Sequence, residues 1–516
     1  MKLLYPSIKS YSYFSFIAPL READLPIVGQ FFSAYLNDRT QGVKLFHDKI
    51  SPENATAMDL TISGLSMKAD LDGIKANLIR QVSVLDFGIE FDRDDVNRVF
   101  VTGRLSVFFQ LPSNINMTFK ALTTSIDFVM RFNNGPAFGH MILNDLPVQH
   151  NQTTNEILAS FEKQELFVLD TSAFEEFTVN LLLTPSATVS IEGLVSAVTL
   201  LRIGNITLTD IPLNHTIVLP GFNQFEGGLL RINDTDIMGS ISSHALALRV
   251  KTEITNPSVV NIIYGGRLQL DLCDVTQGLS IGLVNIDPFL LEPKENITKI
   301  EAEGIFNLTD SNVAVAKTFI SNMVSGIDNQ VELRGTLDDN STGTNIPLLS
   351  LAVAGLRAHT VVPGLTGEKL LVRELLVKRL TVAEIAGITI GLVKHLSVRI
   401  RVFNPFSSAM SINGVNVKAD YGPKIDDSLQ VGLVNDHTVI NIAAHQEFIS
   451  PYITVTIAAK LPTLVTMIGP LLSGHAHLSL TGTIDVTIGD DFVLNEVPMT
   501  ILNITTQQEP AYEQQN

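Results

Sequence analysis

Three stretches of the sequence alternate apolar with polar residues and then stop at a proline in the same phase: VTGRLSVFFQLPS (101–113), HALALRVKTEITNPS (244–258) and KHLSVRIRVFNPF (394–406). Counting back from Pro112, Pro257 and Pro405, positions −3, −5 and −7 hold Phe109, Val107 and Leu105, then Ile254, Thr252 and Val250, then Val402, Ile400 and Val398. The residues between them are mostly polar, with Arg249, Lys251, Glu253, Arg399 and Arg401 among them. Alternation with a period of two places one face of a strand in a core and the other in water. Proline ends such a strand because it has no N–H for the ladder. The three prolines are 145 and 148 residues apart, so the fold must accommodate one strand pattern at that interval.

Two further landmarks keep the interval. A glycine sits in the middle of a strand-like segment in SIEGLV (Gly193), ELRGTL (Gly335) and SLTGTI (Gly482), at spacings of 142 and 147 residues. Each follows a short apolar, helix-like segment, and a further copy, TISGLS around Gly64, follows Leu25–Leu36. SIGLVN (280–285) and QVGLVN (430–435) are 150 residues apart. Between the landmarks, runs rich in Val, Ile, Leu and Thr alternate with turn pairs such as Asn134-Gly135, Asn413-Gly414 and Gly489-Asp490. Helical signals are few: Leu25–Leu36, 461–472, and 311–327 with Ser311 as N-cap and Gly326 near the end. The expected fold is mainly β, a tandem of β-sandwich units of about 145 residues, each with a short helix. The expected divisions are an N-terminal segment with a helix (1–54, the remnant of a truncated unit or an anchor region), sandwich units at 55–200, 201–345 and 346–506, and a polar disordered tail at 507–516. The turn-rich stretch 337–345 reads as a linker, and the units are expected to fold semi-independently.

Composition narrows the function classes. Thirty-five basic against 53 acidic residues give a formal charge of −18, which repels phosphate backbones and argues against a nucleic-acid partner. A single cysteine, Cys273, excludes a disulfide framework and a cysteine-based zinc cluster. No apolar run reaches the roughly 18–20 residues of a membrane span. The longest, at 461–474, is broken by Pro462 and Pro470. Taken alone, the first twenty residues read as the start of a soluble cytosolic chain. The glycosylation acceptor pattern opposes that reading. Asn-x-Thr occurs at Asn54, Asn116, Asn151, Asn205, Asn214, Asn233, Asn296, Asn307, Asn340 and Asn503. With 34 Asn and 77 Ser plus Thr, chance predicts about five acceptors of either type, whereas ten occur and all use Thr. These observations point to a glycosylated chain in the vacuole or another secretory compartment, with a membrane anchor upstream of Met1 or a weak one at the N-terminus.

The amphipathic strand running into Asn256-Pro257-Ser258 and Asn404-Pro405-Phe406 resembles the late-embryogenesis-abundant group 2 (water-stress and hypersensitive-response) domain. The fuller repeat, over roughly 55–506, is similar to its fungal relative, arrayed in the lumenal part of single-span vacuolar membrane proteins. The resemblance implies a sandwich in which Asn-Pro opens a turn between two strands. It also implies no catalysis, and links to autophagy control or stress tolerance and to apolar ligands. The first repeat departs from the pattern, with Leu111-Pro112 in place of Asn-Pro.

No nucleophile elbow, metalloprotease helix, phosphate-binding loop or dinucleotide fingerprint is present in the sequence. His475 and His477 share a strand face, but zinc needs three or four such groups and no carboxylate or cysteine stands at convincing spacing. Asp92, Asp94 and Asp95 lack the grammar of a calcium loop and read as a solvated turn. Cys273 shares parity with Arg267, Gln269 and Asp271 and is expected to face water as an unpaired thiol. No catalytic, cofactor or metal residue is assigned. The expected function is a non-enzymatic lumenal interaction or scaffold module. The alternative is a lipid-binding, lipid-transfer or tethering protein with an apolar groove. The partner, protein or lipid, is left open. In the strand before Pro405, Leu396, Val398, Ile400 and Val402 are expected in a core, and Arg399 and Arg401 in water.

Overall fold

The computed structural model describes residues 24–46, 66–71, 73, 78–95, 97–110, 120–201, 204–294, 296–338, 341–369, 371–425, 429–459, 466–467, 469–470 and 475–509. The chain is mainly β, and three large sheets hold most of its described strands. In chain order, the seven main strands of the first sheet are Ile79–Phe91, Val99–Phe109, Lys120–Phe132, Ala137–Asn151, Glu156–Val168, Ser186–Leu201 and Gly204–Pro220. Those of the second are Leu230–Ser242, Ala245–Thr255, Leu268–Asp274, Ser280–Ile286, Ile297–Asn307, Asn329–Gly335 and Arg357–Val362. Those of the third are Val372–Val377, His395–Phe403, Met410–Tyr421, Gln430–Asp436, Ile453–Ile457, His477–Ile488 and Phe492–Gln508. All three sheets place these strands side by side as first, second, fifth, fourth, third, sixth, seventh. The third sheet also closes on itself, because its first strand pairs antiparallel with the second and parallel with the seventh.

Compactness divides the chain into two units, Met1–Leu85 with Thr102–Phe167 and Val189–Ile217, and Asp86–Val101 with Val168–Thr188 and Val218–Asn516. In the first unit the helix Leu25–Leu36 lies against the strand Gly204–Pro220. A Cβ on Gly29 would fall 2.6 Å from the Thr207 carbonyl oxygen, so glycine permits that approach. Ser33 Oγ then accepts from Thr209 N–H at 2.9 Å. The core between the strands holds Val82, Phe109, Ile126, Phe128 and Ile191.

The second unit contains both remaining large sheets. In Ala245–Thr255, Leu246, Leu248, Val250, Thr252 and Ile254 are buried, as the period of two requires. Its wet face meets Ile297–Asn307 in opposite-charge pairs, Arg249 across from Glu303, Lys251 from Glu301 and Glu253 from Lys299. Val260–Tyr264 pairs in parallel with Phe87–Glu90. The two sheets meet through Phe306 and Phe492, both buried, with ring centroids 6.4 Å apart. Polar bonds flank that contact, from Ser408 N–H to the Ile237 carbonyl and from Lys369 Nζ to Asp234, at 3.0 and 2.6 Å.

Several expectations are corrected by this architecture. Gly204–Pro220 belongs to the first sheet and Arg357–Val362 to the second, and Val260–Tyr264 adds an eighth strand to the first. The described residues of 337–345 are held by backbone pairing. Leu337–Asp338 pairs with Ser341–Thr342, Gly343 O accepts from Gln269 N–H, and Asn345 Oδ1 accepts from Arg267 N–H. The helix after Ser311 is Val313–Val324 with Asn312 at its N-cap position, where the Asn312 amide bonds to the Ser280 and Asn307 carbonyls. Asn413-Gly414 is a bulge inside Met410–Tyr421, where the register shifts against the neighbouring strand, and not a turn. The helix Thr171–Leu183 had its own signal, Asp170 accepting from Ala173 N–H with Phe174, Phe177 and Leu181 buried along one stripe. Of the tail expected to be disordered at 507–516, Gln507 and Gln508 instead end the strand Phe492–Gln508 and Glu509 is buried against Arg399, while 510–516, Gly64, the Leu111-Pro112 step and most of 461–472 lie outside the described residues.

Candidate functional site

The ten acceptor asparagines are the sequence feature with a direct chemical meaning. Asn54, Asn116 and Asn340 lie outside the described residues. The other seven, Asn151, Asn205, Asn214, Asn233, Asn296, Asn307 and Asn503, are all exposed. Of the 21 remaining described asparagines only ten are exposed, so the acceptor sites are selectively on the surface. The local cause is strand geometry. Asn and Thr two residues apart project from the same face, so an acceptor triplet on a wet face presents both groups to solvent.

The asparagine of the Asn-Pro pair is a different kind of residue. Asn256 is fully buried, donates to the Val260 and Glu292 carbonyls at 2.8 Å each, and accepts from Ser258 N–H at 2.8 Å. Asn404, 148 residues later, is fully buried and does the same. It donates to the Ser408 and Ala443 carbonyls at 2.7 and 3.2 Å and accepts from Phe406 N–H at 3.0 Å. In each case the side chain reaches the residue four positions ahead and a distant segment, and its oxygen holds the amide two positions ahead. This is an Asx turn sealed in a core, and its work is structural.

The groups considered for chemistry are placed as follows. Asp92 Oδ1 accepts from Asp94 N–H at 2.9 Å, with Arg98 3.6 Å from its other oxygen, which is the geometry of a turn on the surface. His475 and His477 are both exposed, and among the described residues no cluster of three or more metal-ligating side chains forms. Cys273 is a correction. It is buried at 1 % exposure, because the pairing of Leu268–Asp274 with Ser280–Ile286 shifts register between Leu272 and Cys273 and breaks the alternation. Burial raises its thiol pKa. Arg399 and Arg401 are a second correction. Both are half-buried in ion pairs rather than free in water. Arg401 contacts Glu374 at 3.1 Å and Glu447 at 2.9 Å, while Arg399 contacts Glu509 at 3.3 Å and lies over the Tyr452 ring. Ile400 and Val402 are buried, but Leu396 and Val398 are only partly so.

Sequence reasoning missed one polar constellation, Asp236, Ser407 and His445. Ser407 Oγ donates to Asp236 at 2.5 Å, and His445 Nε2 stands 3.2 Å from the same oxygen. A hydrolytic triad needs the carboxylate on the imidazole, with the serine free to attack. Here the carboxylate holds the serine itself, so the arrangement joins the second and third sheets and has no activated nucleophile. Three apolar interior cavities among the described residues are small. One of about 60 Å³ lies in the first unit among Val107, Phe128 and Leu208, and cavities of about 30 and 40 Å³ lie in the second.

The family model described as protein of unknown function (DUF3712) matches residues 138–272. That window takes the fourth to seventh strands of the first sheet and the first to third of the second, and it includes Asn256-Pro257. No curated protein matches the chain.

Proposed function

We propose that the chain is a tandem of three related β-sandwich units, glycosylated and resident in the vacuole or another secretory lumen, where it acts as a non-enzymatic interaction or scaffold module. The observation that carries the lumenal reading is the exposure of all seven described acceptor asparagines. The shared strand order of the three sheets and the equivalent hydrogen bonds of Asn256 and Asn404 support common descent of the units and their likeness to the late-embryogenesis-abundant group 2 fold. Among the described residues the cavities inside the cores, about 30–60 Å³, are well below the roughly 150 Å³ that accommodates benzene, which weighs against an acyl chain in a core. A larger cleft of about 750 Å³, lined by Leu25, Gly204 and Thr209, keeps the carrier alternative as the second reading. Enzymatic removal of N-glycans from the endogenous protein tests the reading. A stepwise gain in gel mobility is expected, and no change in mobility would refute lumenal residence.

A further inference from the structure

We propose that the tip of the third sheet formed by the helix Val382–Thr389 and the turn that follows it docks on a bilayer surface bearing anionic headgroups. The three most exposed large apolar side chains among the described residues all fall in this short stretch: Val382 at 84 %, Leu392 at 77 % and Ile390 at 69 %. Their exposure belongs to a built element and not to a frayed one. Thr381 and Glu384 close a capping box at the helix start, and Gly387 and Ile388 are buried beneath it. At the helix end the amides of Leu392 and Val393 both bond to the Gly387 carbonyl, at 2.8 and 3.1 Å, and Gly391 at φ 74° turns the chain so that Ile390 and Leu392 flank it in the open.

The charges around the tip select the partner. Lys378, Arg379 and Lys394 are exposed at its base, and Glu384 is the one carboxylate between residues 378 and 395. Three cations less one anion leave +2 on this stretch of a chain whose net charge is −18. Glu384 is engaged by the Thr381 N–H and hydroxyl, and the nearby Glu374 and Glu509 face Arg401 and Arg399. Exposed apolar side chains flanked in the chain by lysine and arginine suit insertion into the headgroup region. Lysine is depleted at protein–protein interfaces, which disfavours a protein partner at the same place. The inference does not rest on glycosylation or on the compartment.

Co-sedimentation of the full chain with phosphatidylcholine vesicles, with and without phosphatidylserine, at low and high salt, tests it. The wild-type chain is expected to bind only the phosphatidylserine vesicles, and less at high salt. Combined Val382→Ser, Ile390→Ser and Leu392→Ser should weaken binding by about tenfold or more. Combined Lys378→Glu, Arg379→Glu and Lys394→Glu should weaken it about a hundredfold, at roughly fivefold per cation removed. Circular dichroism melts of both variants should match the wild type, because the altered side chains are exposed. The proposal is overturned if the wild-type chain ignores phosphatidylserine, or if the serine variant binds as the wild type does. It is equally overturned if the serine variant loses self-association in sedimentation velocity while keeping vesicle binding, which would assign the tip to a second copy of this chain.

Discussion

Replacing Asn404 with alanine separates the structural role of the Asn-Pro turn from a merely local one. The substitution deletes the donor to the Ser408 and Ala443 carbonyls and the acceptor for Phe406 N–H, all within 3.2 Å and around a side chain of 0 % exposure. Three hydrogen bonds at about 1 kcal/mol each, with buried backbone groups left unsatisfied, put the loss at about 3–5 kcal/mol. That is a large share of a typical total stability of about 5–15 kcal/mol. Asn256→Ala should cost a similar amount, since three bonds of 2.8 Å are lost at an equally buried site. Asn404→Asp sharpens the test. The aspartate keeps the acceptor for Phe406 N–H but turns a charge toward two carbonyl oxygens, so its folded-state pKa rises above the unfolded value of about 3.9. The native state then holds the proton more tightly than the unfolded chain. The penalty relative to wild type is smallest in acid and grows as pH rises through the folded-state pKa. The chain has no tryptophan, so urea titrations followed by far-ultraviolet circular dichroism are the suitable assay. A loss below about 1 kcal/mol in both alanine variants, or a pH-independent penalty for Asn404→Asp, would refute the reasoning.

Three further outcomes are expected. Gly193→Ala and Gly482→Ala should each lower the melting temperature markedly, because a Cβ would stand 2.0 Å from the Asp127 carbonyl and 2.1 Å from that of Asn416. Gly239→Ala, with open space around the new methyl, should leave it nearly unchanged. Arg401→Asp should destabilise more than Arg401→Gln, by about 1–3 kcal/mol, because it adds a third carboxylate beside Glu374 and Glu447; equal melts would count against the ion-pair network. Cys273 should resist maleimide in the native protein and react promptly in denaturant; rapid native labelling would contradict its burial.

What the sequence made legible is what depends on near neighbours along the chain. The helix Leu25–Leu36 and the buried phase of Leu246 to Ile254 follow from local periodicity alone. The Asn-Pro pairs were visible as turns, but that Asn404 also grips Ala443 depends on a segment 39 residues away. Cys273 was misplaced because a register shift is set by the pairing of two strands and leaves no mark in the parity of one. Arg399 and Arg401 alternate as solvent-facing residues should, but Glu509, just past the last strand, and Glu447, from another strand, half-bury them. The turn-rich composition around 337–345 suits a linker as well as a paired segment, and only the pairing of Leu337–Asp338 with Ser341–Thr342 and the bond from Gln269 N–H to the Gly343 carbonyl decide between them. The helix Val382–Thr389 announced itself through Thr381 and Glu384, a capping box three residues apart that went unread beside the stronger strand pattern.

The closure of the third sheet has a consequence for how that part of the chain is made. Leu375 pairs with Thr506, 131 residues further on, so the first strand of the ring waits for the last. Contacts of such long range form slowly, because the entropy of closing the loop is lost before the contact can offset it. During synthesis the strands from Val372 onward emerge with open edges, and the ring has no complete form until Phe492–Gln508 has left the ribosome. A chain cut short before that strand would carry two unpaired edges, Val372–Val377 and His477–Ile488, each a template for pairing with another molecule. Frameshifts near the 3′ end of the coding sequence should therefore be as damaging as those in the middle, and should appear as aggregates rather than as a shortened soluble protein.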